Sequence, residues 1–151
     1  MNLLSYLNRE LAGKSDENLE LISVICSVAE STVDIAMDTR VTGIKQIRGS
    51  ANEINVQGEE VQMLDQIANK SLIDSLSKNS SCAGYASEEI DEPLIFNQSS
   101  RFMVVADPLD GSSNISVNMP IGTIFGIIRN TDYGVSSFNK SGRYYISCLL
   151  Y

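Results

Sequence analysis

The chain has 151 residues, of which 43% are hydrophobic, and a formal net charge of −8 at pH 7. This composition suits one globular domain, and no stretch approaches the roughly 20 consecutive apolar residues of a membrane span. The negative charge argues against nucleic acid or an anionic membrane surface as a partner. There is no histidine, which excludes His-dependent catalytic triads and His-ligated zinc or iron. Any bound metal is therefore expected to be a hard cation held by oxygen ligands.

The cysteines and the N-terminus indicate a compartment. Cys26, Cys82 and Cys148 are odd in number and widely spaced, which suits a reduced chain better than a disulfide framework. The first residues lack a basic region followed by a long apolar one, so we predict no signal peptide. We therefore expect a cytoplasmic protein.

Two amphipathic helices are predicted in the first half. Apolar residues recur with a helical period from Asn18 to Met37, and Asp16 is the predicted N-cap. The predicted buried face contains Ile22, Ile25, Cys26, Ala29, Val33 and Met37. The polar, glycine-containing segment Gly43–Asn55 predicts a loop. A second helix is predicted from about Glu59 to Ser77. Its apolar stripe contains Val61, Leu64, Ala68, Leu72 and Leu76.

The second half is rich in predicted strands. These are Cys82–Ala86, Phe102–Ala106, Thr123–Arg129 and Tyr144–Tyr151. The second of them is expected to stop at Asp107-Pro108. The polar connection Asn130–Ser141 contains a turn signal at Asp132-Tyr133-Gly134. Because helices come first and strands later, we predict an α+β fold with helices layered on a mixed or antiparallel sheet.

The most informative motif is Asp107-Pro-Leu-Asp-Gly-Ser-Ser-Asn114. Asp107 and Asp110 can converge across the turn that Gly111 allows, with the Leu109 carbonyl beside them. The glycine and the two serines supply N–H groups and hydroxyls of the kind that bind phosphate. The same pattern is also a good surface turn, so the motif alone leaves both interpretations open.

Other acidic residues extend the candidate site. Glu88 and Glu89 follow a predicted strand, while Glu59 and Asp65 lie near the start of the second predicted helix. Adjacent glutamates are usually solvated, and acidic residues in a first helical turn are favoured by the helix dipole. Two carboxylates about 4 Å apart repel by roughly 4 kcal/mol at an effective dielectric near 20. If several of these groups converge, a divalent cation must therefore neutralise them.

These segments together resemble the class I fructose-1,6-bisphosphatase family. The matching stretches are Asn55–Asp65, Ser87–Glu89, Asp107–Asn114 and Ile121–Ile127, in the order that the family has them. The wider lithium-sensitive phosphatase superfamily, which includes the inositol monophosphatases, shares the Asp-Pro-x-Asp-Gly core. It usually has Thr where Ser112 stands, so this chain resembles the sugar bisphosphatase branch more closely.

The resemblance implies Mg²⁺-dependent hydrolysis of the 1-phosphate of fructose 1,6-bisphosphate, giving fructose 6-phosphate and phosphate in gluconeogenesis. Mn²⁺ is an expected substitute metal. The implied metal ligands are Glu88, Asp107, the Leu109 carbonyl, Asp110 and Glu59. The implied pair that orients and deprotonates the attacking water is Glu89 and Asp65. The implied contacts to the phosphate and the adjoining sugar hydroxyl are Asp110, Gly111, Ser112 and Ser113.

The resemblance also bears on domain organisation and regulation. Residues 1–151 are expected to form the N-terminal domain, without the C-terminal substrate half, and a full-length enzyme is expected to be a homo-oligomer. Some members of the family bind AMP through an N-terminal helix and basic residues that resemble Arg101 and Arg129. Asp16–Leu19 does not match the helix start associated with that site, which argues against AMP inhibition.

Two alternatives to this function stay open. The chain could be a non-catalytic homologue or a partner subunit that binds metal, because the substrate half has no counterpart in it. The substrate could also be sedoheptulose bisphosphate or an inositol phosphate, because the residues that determine specificity lie outside the matching stretches.

Overall fold

The computed structural model describes residues 1–11, 13, 15–40, 50–54, 60–117, 119–139 and 145–150. The helices within these ranges are α1 (Leu3–Leu11), α2 (Asp16–Arg40) and α3 (Met63–Leu76), with short 3₁₀ helices at Ser112–Val117 and Val135–Asn139. The strands are β1 (Ser50–Ile54), β2 (Glu60–Gln62), β3 (Cys82–Ser87), β4 (Leu94–Ile95), β5 (Phe102–Asp110), β6 (Gly122–Arg129) and β7 (Tyr145–Leu150). None of the described helices combines the length and the hydropathy that a bilayer span requires.

The strands form two sheets. Five of them make a mixed sheet in the order β4-β3-β5-β6-β7, and β1 pairs with β2 separately. Within the larger sheet β3 and β5 are parallel, whereas the other neighbouring strands are antiparallel. The predicted α+β class with helices layered on a mixed sheet is therefore confirmed.

The main core lies between the helices and one face of this sheet. Its fully buried members include Val24, Val28, Leu72, Leu76, Tyr85, Phe102, Val104 and Ile127. A second, smaller cluster joins α2, α3 and the end of β5 through Ile35, Leu64, Ala68 and Leu109. This smaller cluster matters for the site, because it fixes the start of α3 against the last residues of β5.

The predicted buried face of α2 is wrong in its second half. Val33 is 54% exposed and Met37 is 59% exposed, while Ser31 and Ile35 are buried. The Ser31 hydroxyl donates to the carbonyls of Ser27 and Ser71, so a residue that counts as polar in a sequence pattern lies in the α2–α3 contact. The helix cap also differs from the prediction, because Ser15 Oγ accepts from the Asn18 N–H and Asp16 is already helical.

Two predicted boundaries in the first half of the chain are wrong, that of the Gly43–Asn55 loop and that of the second helix. Residues 50–54 of the predicted Gly43–Asn55 loop form β1, and the rest of that segment lies outside the described residues. Glu60–Gln62 forms β2 rather than the first turn of a helix, and α3 begins at Met63. The polar composition of this segment by itself indicates a loop. It forms a strand because β1 pairs with β2, which provides partners for its backbone hydrogen bonds.

β5 is longer than predicted, since it continues through Pro108 to Asp110. The register with β6 shifts between Asp107 and Asp110, so the missing N–H of Pro108 falls where the ladder is already irregular. The Pro108 carbonyl accepts a hydrogen bond from the Thr123 hydroxyl at 2.9 Å. As a result, both aspartates belong to one strand. Helix α1 and strand β4 were not predicted at all.

Candidate metal and phosphate site

The parallel pairing of β3 and β5 brings two acidic residues to one edge of the sheet. Ser87 is paired with Ala106, and the Glu88 N–H donates to the Ala106 carbonyl at 3.4 Å. Glu88 therefore follows the end of β3 beside Asp107 of β5. Both side chains line an open pocket of about 360 Å³ whose other walls are largely apolar. The remaining lining residues are Ala86, Ser87, Val105, Ala106, Ile124, Phe125 and Gly126.

The pKa of Asp107 is shifted by its surroundings at this edge. Burial, followed by the neighbouring Glu88 carboxylate, raises the pKa of Asp107 from 3.8 to about 6. Asp110 and Asp65 add smaller contributions in the same direction, and the Leu109 N–H, which donates to Asp107 Oδ1 at 3.0 Å, opposes them. Three further predicted acidic residues, Glu88, Asp110 and Asp65, are thus close enough to act on Asp107.

Asp65 reaches this cluster from the first turn of α3. Its neighbour Leu64 packs against Leu109, and Asp65 itself is only 4% exposed. A buried carboxylate is costly unless it is hydrogen-bonded, paired or metal-bound. The position of Asp65 beside β5 follows from the small core cluster.

The segment after Asp107 turns sharply at Gly111. Gly111 has φ 78°, and a Cβ at this position would lie 3.1 Å from Asn114 Nδ2. The turn is closed by a hydrogen bond from the Asn114 N–H to the Gly111 carbonyl at 2.8 Å, and Asn114 Nδ2 also donates to the Pro120 carbonyl. Asp110 is exposed just before this turn, with Ser112 half-buried and Ser113 exposed after it. The proposed phosphate-binding residues therefore share one tight, solvent-accessible turn.

We expect Gly111→Ala to destabilise the chain by about 2 kcal/mol, because a left-handed φ costs an alanine roughly 1–2 kcal/mol and the new methyl group crowds Asn114. The matched control is Gly13→Ala. Gly13 has a similar φ of 82° but open space around its Cβ direction. Urea denaturation of both variants separates the backbone strain from the crowding. Equal losses of stability would show that Asn114 adapts without cost.

The donor chemistry of the cluster suits a hard divalent cation, because its described ligands are carboxylates. The described ranges nevertheless contain no group of three His, Cys, Asp or Glu side chains placed to hold a metal ion together. Glu59, a further predicted ligand, lies outside the described residues. Leu109 is buried at 4% exposure, and the metal role of its carbonyl stays a prediction.

The two arginines associated with AMP binding by resemblance are engaged within the chain. Arg129 forms an ion pair with Glu17 at 2.7 Å, and Arg101 forms one with Glu20 at 2.9 Å. These contacts attach the N-terminal part of α2 to one end of the β5–β6 pair, where Phe102 is paired with Arg129. All four side chains are at least 30% exposed. Such exposed pairs typically contribute less than about 1 kcal/mol.

One buried polar contact beneath the site was not predicted. The Tyr85 hydroxyl donates to Asn69 Oδ1 at 3.0 Å, with Tyr85 fully buried and Asn69 8% exposed. The two residues belong to different elements, β3 and α3, and no short-range motif marks such a pair. Only the packing of α3 on the sheet reveals it.

The fold and the site together define an α+β domain with an acidic strand-end cluster beside a Gly-Ser turn. The model of a protein family described as fructose-1-6-bisphosphatase, N-terminal domain, matches residues 6–148. The chain belongs to the fructose-1,6-bisphosphatase family. The resemblance inferred from the motifs is therefore confirmed.

Individual relatives agree with this membership. The chain is 42% identical over 121 residues to the class 1 fructose-1,6-bisphosphatase of Psychrobacter sp. strain PRwf-1, which covers 80% of this chain and 35% of that protein. It is 35% identical over 144 residues to the Persephonella marina protein of the same name, covering 94% of this chain and 45% of that one. The chain thus spans less than half the length of these relatives. The crystal structure of Leishmania major fructose-1,6-bisphosphatase in holo form superposes with a TM-score of 0.87 at 24% identity, covering 98% of this chain and 48% of that one.

Proposed function

We propose that this chain supplies the acidic half of a Mg²⁺-dependent phosphatase that hydrolyses the 1-phosphate of fructose 1,6-bisphosphate. The observation that carries the proposal is the meeting of Glu88, Asp107 and Asp65 at one sheet edge, beside the Gly111 turn. Family membership supports the sugar bisphosphate as substrate, since the relatives are named for that activity. The products are fructose 6-phosphate and phosphate.

Each residue of the candidate site has a proposed role in this reaction. Glu89 and Asp65 orient the attacking water and accept its proton. N–H groups and hydroxyls of Gly111, Ser112 and Ser113 hold the phosphate, and Asp110 holds the adjoining sugar hydroxyl. The water oxygen forms a bond to phosphorus while the bond from phosphorus to the sugar oxygen breaks, and that oxygen keeps the electron pair and takes up a proton. Phosphoryl transfer of this kind depends mainly on positioning and on charge neutralisation.

The described groups that would hold Mg²⁺, with Mn²⁺ as a substitute, are the carboxylates of Glu88, Asp107 and Asp110 and the carbonyl of Leu109. A divalent cation here would lower the pKa of water and offset the charge of both the phosphate and the carboxylates. An acidic protein needs such a cation to bind an anionic ester, because the cluster by itself repels phosphate.

A metal-binding chain without catalysis is the alternative function. The matches cover 35% of the Psychrobacter relative and 45% of the Persephonella marina relative, so catalysis by this chain has to be measured directly. Both functions require that Asp107 and Glu88 bind a divalent cation. They differ only in turnover.

The deciding experiment measures phosphate release by the purified chain from fructose 1,6-bisphosphate and, separately, from sedoheptulose 1,7-bisphosphate. Each reaction is run with Mg²⁺ and with EDTA, alongside calorimetric Mg²⁺ binding and the particle mass in solution. Mg²⁺-dependent release that disappears in Asp107→Ala supports catalysis, and the better substrate identifies the sugar. Mg²⁺ binding without release establishes the alternative. A folded chain that neither binds Mg²⁺ nor releases phosphate refutes both.

A further inference from the structure

One buried side chain of β6 contacts the backbone segment that follows Asp107. Where the β5–β6 register shifts, two residues of β5, Pro108 and Leu109, lie opposite the single residue Thr123 of β6. Such a bulge interrupts the ladder of backbone hydrogen bonds, and Pro108 has no N–H to contribute to it. The Thr123 hydroxyl donates to the Pro108 carbonyl at 2.9 Å. A side chain of β6 therefore supplies the hydrogen bond to this carbonyl at the bulge.

The same peptide group is bound on its other side by Asp107. The Pro108–Leu109 peptide bond is trans and planar, so its carbonyl and its N–H point in opposite directions. The carbonyl accepts from Thr123, and the Leu109 N–H donates to Asp107 Oδ1 at 3.0 Å. One rigid group of atoms thus lies between the Thr123 hydroxyl and the Asp107 carboxylate.

Burial makes this contact difficult to replace. Thr123, Pro108 and Leu109 are all buried. Threonine is β-branched, which restricts its χ1 angle and so the direction of its hydroxyl. Removal of the hydroxyl leaves the buried Pro108 carbonyl without this donor, and an unsatisfied buried acceptor is costly. The peptide group is then less restrained, and so is the carboxylate oxygen that its N–H holds.

We propose that Thr123 is a positioning residue whose hydroxyl, through the Pro108–Leu109 peptide group, sets the orientation of the Asp107 carboxylate in the pocket that Asp107 shares with Glu88. This inference rests on the proposed function, in which Asp107 binds Mg²⁺, but the orientation can also be tested without metal. Hydrogen-bond partners behind a metal ligand commonly direct it toward the ion, and their loss weakens metal binding.

The test uses three substitutions of Thr123 and one control. Thr123→Val removes the hydroxyl and nearly preserves the shape of the side chain, whereas Thr123→Ser keeps the hydroxyl and loses only a methyl group. Thr123→Ala differs from Thr123→Ser by the hydroxyl alone, so this pair decides the question if Thr123→Val fails to fold. Ser100→Ala is the control just before β5, because the buried Ser100 hydroxyl also donates to a backbone carbonyl, that of Ser80 at 2.6 Å.

The first readout is amide hydrogen exchange of the folded chain without metal. The measured quantity is the exchange rate of the Leu109 amide divided by that of the Val104 amide in the regular part of β5. A global loss of stability accelerates both amides, so the ratio reports the local contact. We expect the ratio to rise about tenfold in Thr123→Val and Thr123→Ala, as for the loss of one hydrogen bond. Thr123→Ser and Ser100→Ala should keep the wild-type ratio.

The second readout is Mg²⁺ affinity, measured by calorimetry on the same variants. Thr123→Val and Thr123→Ala should bind Mg²⁺ about ten- to hundredfold more weakly, the range for loss of a partner behind a metal ligand. Thr123→Ser and Ser100→Ala should bind it as the wild-type chain does. Rescue by serine distinguishes the hydroxyl from the packing of the side chain.

Four outcomes overturn the proposal. They are an unchanged exchange ratio in the variants without the hydroxyl, unchanged Mg²⁺ affinity in those variants, an equal loss of affinity in Thr123→Ser and Thr123→Ala, and an equal loss in Ser100→Ala. The last outcome would mean that Mg²⁺ binding follows stability alone. A wild-type chain that binds no Mg²⁺ counts against the proposed function, and the exchange ratio then decides whether Thr123 restrains the peptide group that holds Asp107.

Discussion

Asp107→Asn is expected to stabilise the metal-free chain at neutral pH and to weaken Mg²⁺ binding by at least about tenfold, since affinity for hard cations follows the number of charged ligands. The stabilisation follows from the pKa of Asp107, which is raised in the folded chain from its ordinary value of 3.8 to about 6. Asparagine keeps an oxygen for the Leu109 N–H and removes the charge that Glu88 repels.

The direction of the pH dependence follows from the two pKa values. Between about 4 and 6 the folded chain holds the Asp107 proton more tightly than the unfolded chain does, so stability falls as pH rises through this window. Above this pH window Asp107 is charged in both the folded and the unfolded chain, and the full destabilisation by its carboxylate is present. Because the carboxyl is only half-buried, solvent screens part of it, and we expect Asp107→Asn to recover on the order of 1 kcal/mol at pH 7.5.

Thermal unfolding at pH 7.5 and pH 4, each in EDTA and in Mg²⁺, measures both effects. The gain in stability should appear at pH 7.5 in EDTA, shrink at pH 4 and reverse in saturating Mg²⁺. Asp91→Asn is the matched control, because Asp91 is exposed. A loss of stability at pH 7.5 in EDTA would show that the Asp107 carboxylate is favourably paired in the folded chain.

The elements that sequence patterns predicted well are those whose own residues determine their burial. The first three residues of the apolar run Phe102–Ala106 are buried, and the members of the predicted stripe that lie in α3, namely Leu64, Ala68, Leu72 and Leu76, are buried in full. In each case local periodicity and tertiary burial agree. Glu88 and Glu89 follow β3, as the strand pattern predicted, while the roles of the acidic residues in the site stay predictions.

The remaining features depend on contacts that are distant in sequence. Ser31 is buried because its hydroxyl finds the Ser71 carbonyl forty residues away. β1 forms because Ser50 pairs with Gln62, which no window of local composition contains. Tyr85 and Asn69 are sixteen residues apart and meet only when α3 packs on β3. A sequence pattern cannot supply these partners, since it registers the type of a residue and not its neighbour in space.

Glu89→Gln should spare Mg²⁺ binding and lower any phosphate release by about 10²–10⁴-fold, the range that a positioned proton acceptor contributes. The reason is that Glu89 and Glu88 follow β3 with different surroundings. Glu88 raises the pKa of Asp107 and lines the same pocket, whereas Glu89 is not among the residues that line that pocket. Glu88 is therefore the better placed of the two to share a cation with Asp107, which leaves Glu89 for the attacking water.

The matched control is Glu92→Gln, the same change at an exposed position three residues further on. Calorimetry with Mg²⁺ and steady-state phosphate release, applied to both variants and to Glu88→Gln, test the division of roles. Glu88→Gln should weaken Mg²⁺ binding, and Glu92→Gln should resemble the wild-type chain. If Glu89→Gln weakens Mg²⁺ binding as strongly as Glu88→Gln does, both glutamates act as ligands. In that case Asp65, buried on α3 and directed at the same edge by its packing, is the remaining carboxylate able to accept the proton.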